Sequence, residues 1–351
     1  MPRATTGTPG ALASGSASDV ISSALQDRLR RNRFVVIGRA GLDLYPDPFG
    51  TKIAEADRFR SDVGGSAGNI AVSLARLGAQ ASLISPLADD PVGRFTRNTL
   101  GRYGVDTALC RAIGGEYRNT LALAEIRSED CEVVIYRNGV ADFELSIADV
   151  AQIDHRSVGA VIATGTALAR EPSREATLEA MRQARIAGTP TILDMDYRAY
   201  SWGSGDEAGR VYREAADLSE MLIGNDDEFG VAAGGRDRGE SYARDLAAQA
   251  GALAVYKMGE RGARTHIGNE VIETGIFPVE TRKPFGAGDA FLGTLLASLA
   301  GGKALDEALE RGAAAAALVV SRDGCASSMP DNAELAAFMA SRTLIPAKEG
   351  A

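Results

Sequence analysis

Residues 284–289 read Pro-Phe-Gly-Ala-Gly-Asp. The small residues Gly286, Ala287 and Gly288 leave three backbone N–H groups free to converge on an anion, and the apolar run 290–300 behind them has helical length. Those groups then fall at a helix N-terminus, where unpaired donors and the positive end of the helix dipole favour a phosphate. A carboxylate beside a phosphate is repelled by it. Asp289 therefore reads as a base that removes a proton from an attacking hydroxyl. Taken alone, the six residues fit equally well a Gly-rich turn with Asp289 as a plain helix cap. The rest of the chain must decide.

Four other clusters carry possible chemistry. Gly64-Gly65-Ser66-Ala67-Gly68-Asn69 contains G-x-S-x-G, so a hydrolase reading would use Ser66 with His266 and an Asp. The competing reading is a tight turn at Gly65 that brings backbone close to a small polyol, with Asn69 as hydrogen-bond partner. Gly38-Arg39-Ala40-Gly41-Leu42-Asp43 follows an apolar strand, and its Asp43 suits hydroxyl groups while Arg39 suits an anion. Asn225 and Glu228, three residues apart, share a face if a helix begins there, and both offer oxygens suited to hydrated Mg²⁺; an acidic helix start is the plain alternative. Lys257-Met-Gly259-Glu-Arg-Gly262 ends another strand and places glycines where a nucleotide could approach backbone. No G-x-x-x-x-G-K-[ST] occurs anywhere, so phosphoryl transfer would need the cradle at Gly286–Asp289.

Positioning these residues requires alternating elements, and the sequence supplies them. β-rich runs at 34–37, 81–85, 160–164, 191–194, 221–223 and 252–258 alternate with helical patterns at 66–77, 173–187, 240–250, 289–299 and 303–320. Such alternation predicts an α/β, doubly wound, mostly parallel sheet flanked by helices, with ligands at the carboxyl ends of its strands. Residues 41–63 and 112–140 break the rhythm and read as a small β lid protruding from the sheet edge. A stretch at 264–269 reads as a polar turn. Residues 1–32 read as an N-terminal extension, with a flexible tail over 1–18 and a short helix over 20–31. One main domain spans 33–342, and 343–351 is a C-terminal tail.

Bulk properties narrow the function classes. The 351 residues are 45% hydrophobic and 24% charged, enough for a large core. The net charge of −9, with dispersed Lys and Arg, argues against nucleic-acid or anionic-membrane partners. Cys110, Cys131 and Cys325 share no metal-ligand spacing and suit a reducing cytosol. No apolar run has the length of a membrane span, and the N-terminal residues lack a signal-peptide core.

Gly-Gly…Asn early, Asn-x-x-Glu midway and Gly-Ala-Gly-Asp late, in that order, resemble the ribokinase-like (PfkB) carbohydrate kinases. The resemblance implies ATP as phosphoryl donor, Asp289 as catalytic base and an anion hole from Gly286, Ala287 and Gly288. It implies that Asn225 and Glu228 organise Mg²⁺ through water, with Lys257, Gly259 and Gly262 along the nucleotide. Arg39, Asp43, Gly65, Asn69, Arg137 and Arg198 would bind substrate. Within the family the closer likeness is to kinases of dehydro-deoxy sugar acids that phosphorylate O6 in myo-inositol catabolism. It is carried by Gly38–Leu44, Thr164–Ala169 with Pro172–Ala176, Leu193–Arg198 with Trp202, and Asp227–Phe229. Arginines at Tyr136-Arg137 and Asp194-Met-Asp196-Tyr-Arg198 match positions that such relatives place at the substrate carboxylate. A homodimer assembled through the lid is the expected oligomer. One departure concerns a monovalent cation: many relatives carry an acid before the Gly-Ala-Gly-Asp turn, whereas Lys283 stands here. Asp196 and Ala199 likewise replace the usual Asn and Pro of their loop.

Overall fold

A computed structural model describes residues 23–127 and 130–347. The expected flexible tail at 1–18 and the start of the helix expected over 20–31 lie outside these residues; Ser23–Leu29 is helical.

Eight strands form the central sheet. In spatial order they are Gln80–Ile84, Arg33–Ile37, Ala160–Thr164, Thr191–Asp194, Met221–Asn225, Leu253–Lys257, Ala263–Ile267 and Glu270–Thr274. The first six run parallel, and the last two add antiparallel at one edge. Successive residues point to opposite faces, so an internal parallel strand must be apolar on both. Ile192, Ile223 and Val255 accordingly join one core cluster with the helices Ser66–Arg76, Ala287–Ala300 and Leu305–Val320. Leu193, Leu222 and Ala254 face the other way, against Gly205–Ala216, Asp226–Ala233 and Gly239–Ala250. The 264–269 stretch is not a simple turn: Ala263–Ile267 and Glu270–Thr274 are paired strands around Gly268 and Asn269. Their Arg264 and Glu273 are register partners and bond at 3.2 Å, which explains charge in a β segment with one face open to water.

The two segments that interrupt the rhythm build a separate four-stranded sheet in the order Phe59–Gly64, Gly41–Pro46, Leu121–Ala124, Val133–Tyr136. Its second strand starts only four residues after Arg33–Ile37 ends, so this layer rises from the carboxyl end of an inner strand, not from the lateral edge of the sheet. Val133, Val134 and Tyr136 on its far strand are exposed. At the other end of the chain, Ile345 pairs with Ile276 through two backbone bonds, at 2.9 and 3.0 Å, so 343–347 is not a free tail.

Candidate active site

Parallel strands end together, and their last residues converge. Asn225 and Lys257 are register partners at the carboxyl ends of neighbouring strands, and Asp194 ends the next strand over. Above them lies a cavity of about 610 Å³, closed from the side by Val133, Val134 and Ile135 of the small sheet. That volume suits one small substrate with part of a nucleotide.

The helix Ala287–Ala300 points its N-terminus into this cavity. Gly286 is its cap, at φ +85°, a left-handed conformation that glycine adopts without a Cβ clash. Gly286, Ala287, Gly288 and Asp289 all line the cavity, so the free amides of the first turn face it. Lys257 reaches the same turn: a Cβ on Gly288 would sit 2.8 Å from its ammonium nitrogen. A cation and several amides thus share one anion-sized spot.

Asp289 accepts a hydrogen bond from Asn69 Nδ2 at 2.7 Å. Its carboxyl is pushed up to about 7, first by burial and then by the negative charge of Asp196, against the Asn69 bond, Arg198 and Lys257. A carboxylate that titrates near neutrality is suited to take a proton at physiological pH. Asn69 Oδ1 is buried without a partner, leaving an acceptor for a ligand hydroxyl. Asn69 stands in the first turn of the helix Ser66–Arg76, entered through Gly65, whose backbone lies against the Arg39 carbonyl.

Asp43 is buried and accepts the Tyr45 hydroxyl at 2.9 Å; burial raises it to about 6, with Arg39 opposing. Arg39 also lines the cavity, only 8% exposed. Its Nη1 has no hydrogen-bond partner, and it forms no ion pair among the described residues. Arg198 lines the cavity too, but Asp196 Oδ1 holds its Nη2 at 2.7 Å.

Several expected site residues behave differently. Arg137 does not line the cavity; its buried guanidinium bonds Asp142 at 2.5 Å and the Thr166 carbonyl at 2.9 Å, and lies 4.0 Å over the Phe143 ring. It fastens the small sheet to the loop after Ala160–Thr164, so its charge is already spent on Asp142. Gly259 and Gly262 also lie outside the cavity lining. Gly262 is demanded by the fold: at φ +92°, its Cβ would meet the Thr274 carbonyl oxygen at 2.2 Å. Ser66 lines the cavity, but its hydroxyl pairs with Thr166 Oγ1 at 3.2 Å. His266 sits in the strand Ala263–Ile267, next to the edge strand, and its ring nitrogens have no hydrogen-bond partner, so the hydrolase reading lacks its serine–histidine contact.

Asn225 and Glu228 form the acidic helix start that was the plain alternative for them, and they do so at the cavity. Asn225 caps the helix Asp226–Ala233, its Oδ1 accepting the amides of Asp227 and Glu228 at 3.0 Å each, while Glu228 Oε2 accepts the Asn225 amide at 2.7 Å. Both also line the cavity. With both lone pairs of Oδ1 engaged, Asn225 has only its Nδ2 donor to offer a ligand. The Glu228 carboxyl is raised by burial, with Lys257 opposing. No cluster of three His, Cys, Asp or Glu able to grip a bare metal occurs among the described residues.

Two acids at this site did not stand out among the sequence clusters. Asp194 is buried and raised well above the usual carboxylate range by desolvation, with Lys257 opposing. Asp196 adopts φ +27°, a conformation rare outside glycine. The signal for Asp194 was its place at the end of the apolar run Thr-Ile-Leu, which is where parallel sheets bind ligands.

Comparison with known proteins agrees with this geometry. Residues 31–332 match the model of the pfkB family carbohydrate kinases. The chain is 38% identical over 314 residues to the 5-dehydro-2-deoxygluconokinase of Photobacterium profundum, covering 88% of this chain and 95% of that protein. It is 36% identical to the 5-dehydro-2-deoxygluconokinase of Geobacillus kaustophilus, covering 87% and 93%. Among solved structures, aminoimidazole riboside kinase from Salmonella enterica, complexed with aminoimidazole riboside and an ATP analog, superposes with a TM-score of 0.74 at 26% identity, covering 88% of this chain and 99% of that one. No described helix is long and apolar enough to cross a membrane. The chain belongs to the pfkB family of carbohydrate kinases.

Proposed function

We propose that this kinase transfers the γ-phosphoryl group of ATP to O6 of 5-dehydro-2-deoxy-D-gluconate, as a step of myo-inositol catabolism in the cytosol. The observation that carries the choice of a sugar acid over a neutral sugar is Arg39: a buried arginine in the cavity with a free Nη1 and no ion pair. A buried guanidinium with an unused donor, influenced by Asp43 and Asp196 only across space, calls for an acceptor, and a carboxylate meets the planar guanidinium with two parallel bonds. The names of the relatives that cover most of the chain support the same substrate class.

In this reading the sugar hydroxyls meet Asp43 and the free Asn69 Oδ1, and the carboxylate meets Arg39. The reacting hydroxyl lies at Asp289, which takes its proton as the phosphoryl group arrives in line. The amides of the Gly286–Asp289 turn and the Lys257 ammonium hold the negative charge that develops on the phosphoryl oxygens. The bound ATP analog of the Salmonella enterica relative supports ATP as donor. Mg²⁺, held through water by Glu228 with Asn225 Nδ2 directed at phosphate or water, would neutralise phosphate charge when bound. The small sheet excludes water from the cavity. Its exposed outer strand is the proposed contact of a homodimer, which sedimentation would detect.

The test is ADP release across sugar acids and their neutral counterparts, with Mg·ATP. The proposal expects the largest kcat/KM on 5-dehydro-2-deoxy-D-gluconate, with 2-keto-3-deoxygluconate as the nearest competitor. Preference for a neutral sugar would overturn it.

A further inference from the structure

Behind the anion-binding turn lies a cation that the mechanism above does not use. Lys283 has 0% of its surface exposed. Its ammonium donates to the Phe285 carbonyl at 2.9 Å and lies 5.1 Å from the centre of the Phe285 ring. It forms no ion pair among the described residues; the groups that act on it across space are Cys325, Asp289, Asp43 and Asp323. A Cβ placed on Gly286 would be 3.6 Å from this ammonium, so the charge sits directly behind the cap of the catalytic helix.

Burying an ammonium on so few bonds is costly, and an apolar side chain of similar length would fill the same space without that cost. A charge kept at such a place points to a use. The geometry supplies one. In a planar trans peptide the N–H lies opposite the C=O. A Phe285 carbonyl drawn back onto Lys283 therefore turns the Gly286 N–H away from the lysine, and Gly286 lines the cavity on its other side. The ammonium also adds a fixed positive potential behind the amides that receive a phosphoryl group.

We propose that Lys283 is a built-in cation of the anion hole: it orients the Phe285–Gly286 peptide, lends its charge to the transferring phosphoryl group, and makes turnover independent of monovalent metal ions. A mobile cation bound at the same place would be repelled by the ammonium, which already occupies the carbonyl such an ion would seek. Lys283 acts through the turn and is a positioning residue. This inference rests on the proposed phosphoryl transfer at Asp289.

The experiment measures ADP formation, on whichever acceptor turns over fastest, in tetramethylammonium buffers with and without added K⁺. The wild-type kcat is expected to change by less than about twofold with K⁺, while Lys283→Met lowers kcat by roughly tenfold or more and leaves the KM for the sugar acid within about threefold. In Lys283→Ala, which opens the space the ammonium held, K⁺ or methylammonium should restore part of the lost turnover, but neither should raise the wild type. Thermal unfolding shows whether Lys283→Met folds; Lys283→Arg, which keeps the charge, is expected to retain more turnover. Activation of the wild type by K⁺ overturns the proposal without recourse to any variant, as does normal kcat in a folded Lys283→Met. A wild type active on neutral sugars but insensitive to K⁺ would sink the sugar-acid reading and leave this one standing. A wild type that forms no ADP with any acceptor would sink both.

Discussion

Replacing Arg39 by Met separates recognition of the acid from catalysis. Met keeps the apolar stem and removes the guanidinium whose Nη1 is buried without a partner. A hydrogen bond to a charged group contributes about 1.5–3 kcal/mol, which corresponds to roughly 10- to 150-fold in kcat/KM. That loss should fall on 5-dehydro-2-deoxy-D-gluconate, whereas a neutral sugar with the same reacting primary alcohol should change by no more than about threefold. Arg39 makes no direct ion pair among the described residues, so its removal breaks no salt bridge, but it takes a cation away from the buried carboxyls of Asp43 and Asp196, and thermal unfolding must show that the variant folds. Asp43 should titrate higher than the about 6 of the wild type, since Arg39 is the largest influence pulling it down. Coupled ADP release on the two substrates, with thermal unfolding as control, reads all of this. Equal losses on the acid and the neutral sugar would refute the reasoning, because they would make Arg39 a general structural or catalytic group. No loss on either would place the carboxylate elsewhere, Arg198 being the next cavity arginine.

Three further outcomes follow from the same geometry. Asp289→Asn should stabilise the protein at alkaline pH: the folded-state value of about 7 lies above the ordinary 3.8, so ionisation costs the fold stability as pH rises between them. The shift corresponds to at most ~4 kcal/mol, and to about half that where water reaches the carboxyl through the cavity, so thermal midpoints should coincide near pH 4, separate as pH rises to about 7 and stay apart by a constant gap above it; a variant equally stable at both ends would contradict this. Arg137→Met should destabilise by about 3–5 kcal/mol, because Asp142 is left buried without its partner, yet barely alter the KM for the sugar acid in the protein that remains folded; denaturant titration beside kinetics checks both halves. Gly262→Ala should lose about 1–3 kcal/mol from backbone strain and the clash with Thr274, seen as a lower thermal midpoint with kcat little changed.

How far the sequence could be read depends on which forces decide each residue. The inner parallel strands were legible because burial on both faces demands unbroken apolar runs, as at 34–37 and 221–223. The edge pair Ala263–Ile267 and Glu270–Thr274 was not, since its open face carries Arg264 and Glu273, and charge hides a strand. At the site, Asp289 was legible from its glycines. The roles of the arginines were not, because an arginine's availability depends on whether a carboxylate lies near in space. Asp142 removes Arg137 from the cavity and Asp196 restrains Arg198, while Arg39 keeps an unbonded Nη1. Gly262 is ambiguous for a like reason: a glycine required by the Thr274 carbonyl looks the same in sequence as one that admits a nucleotide.

The central claim, that Asp289 is the base for phosphoryl transfer to a sugar acid, is tested most directly by one comparison. Single-turnover transfer from Mg·ATP to 5-dehydro-2-deoxy-D-gluconate is measured for the wild type and Asp289→Asn, with ATP affinity determined on the same samples. The account predicts a fall of about 10²- to 10⁴-fold in the transfer rate, with ATP binding changed by no more than a few fold. A folded Asp289→Asn that transfers phosphate at a near-normal rate would contradict it.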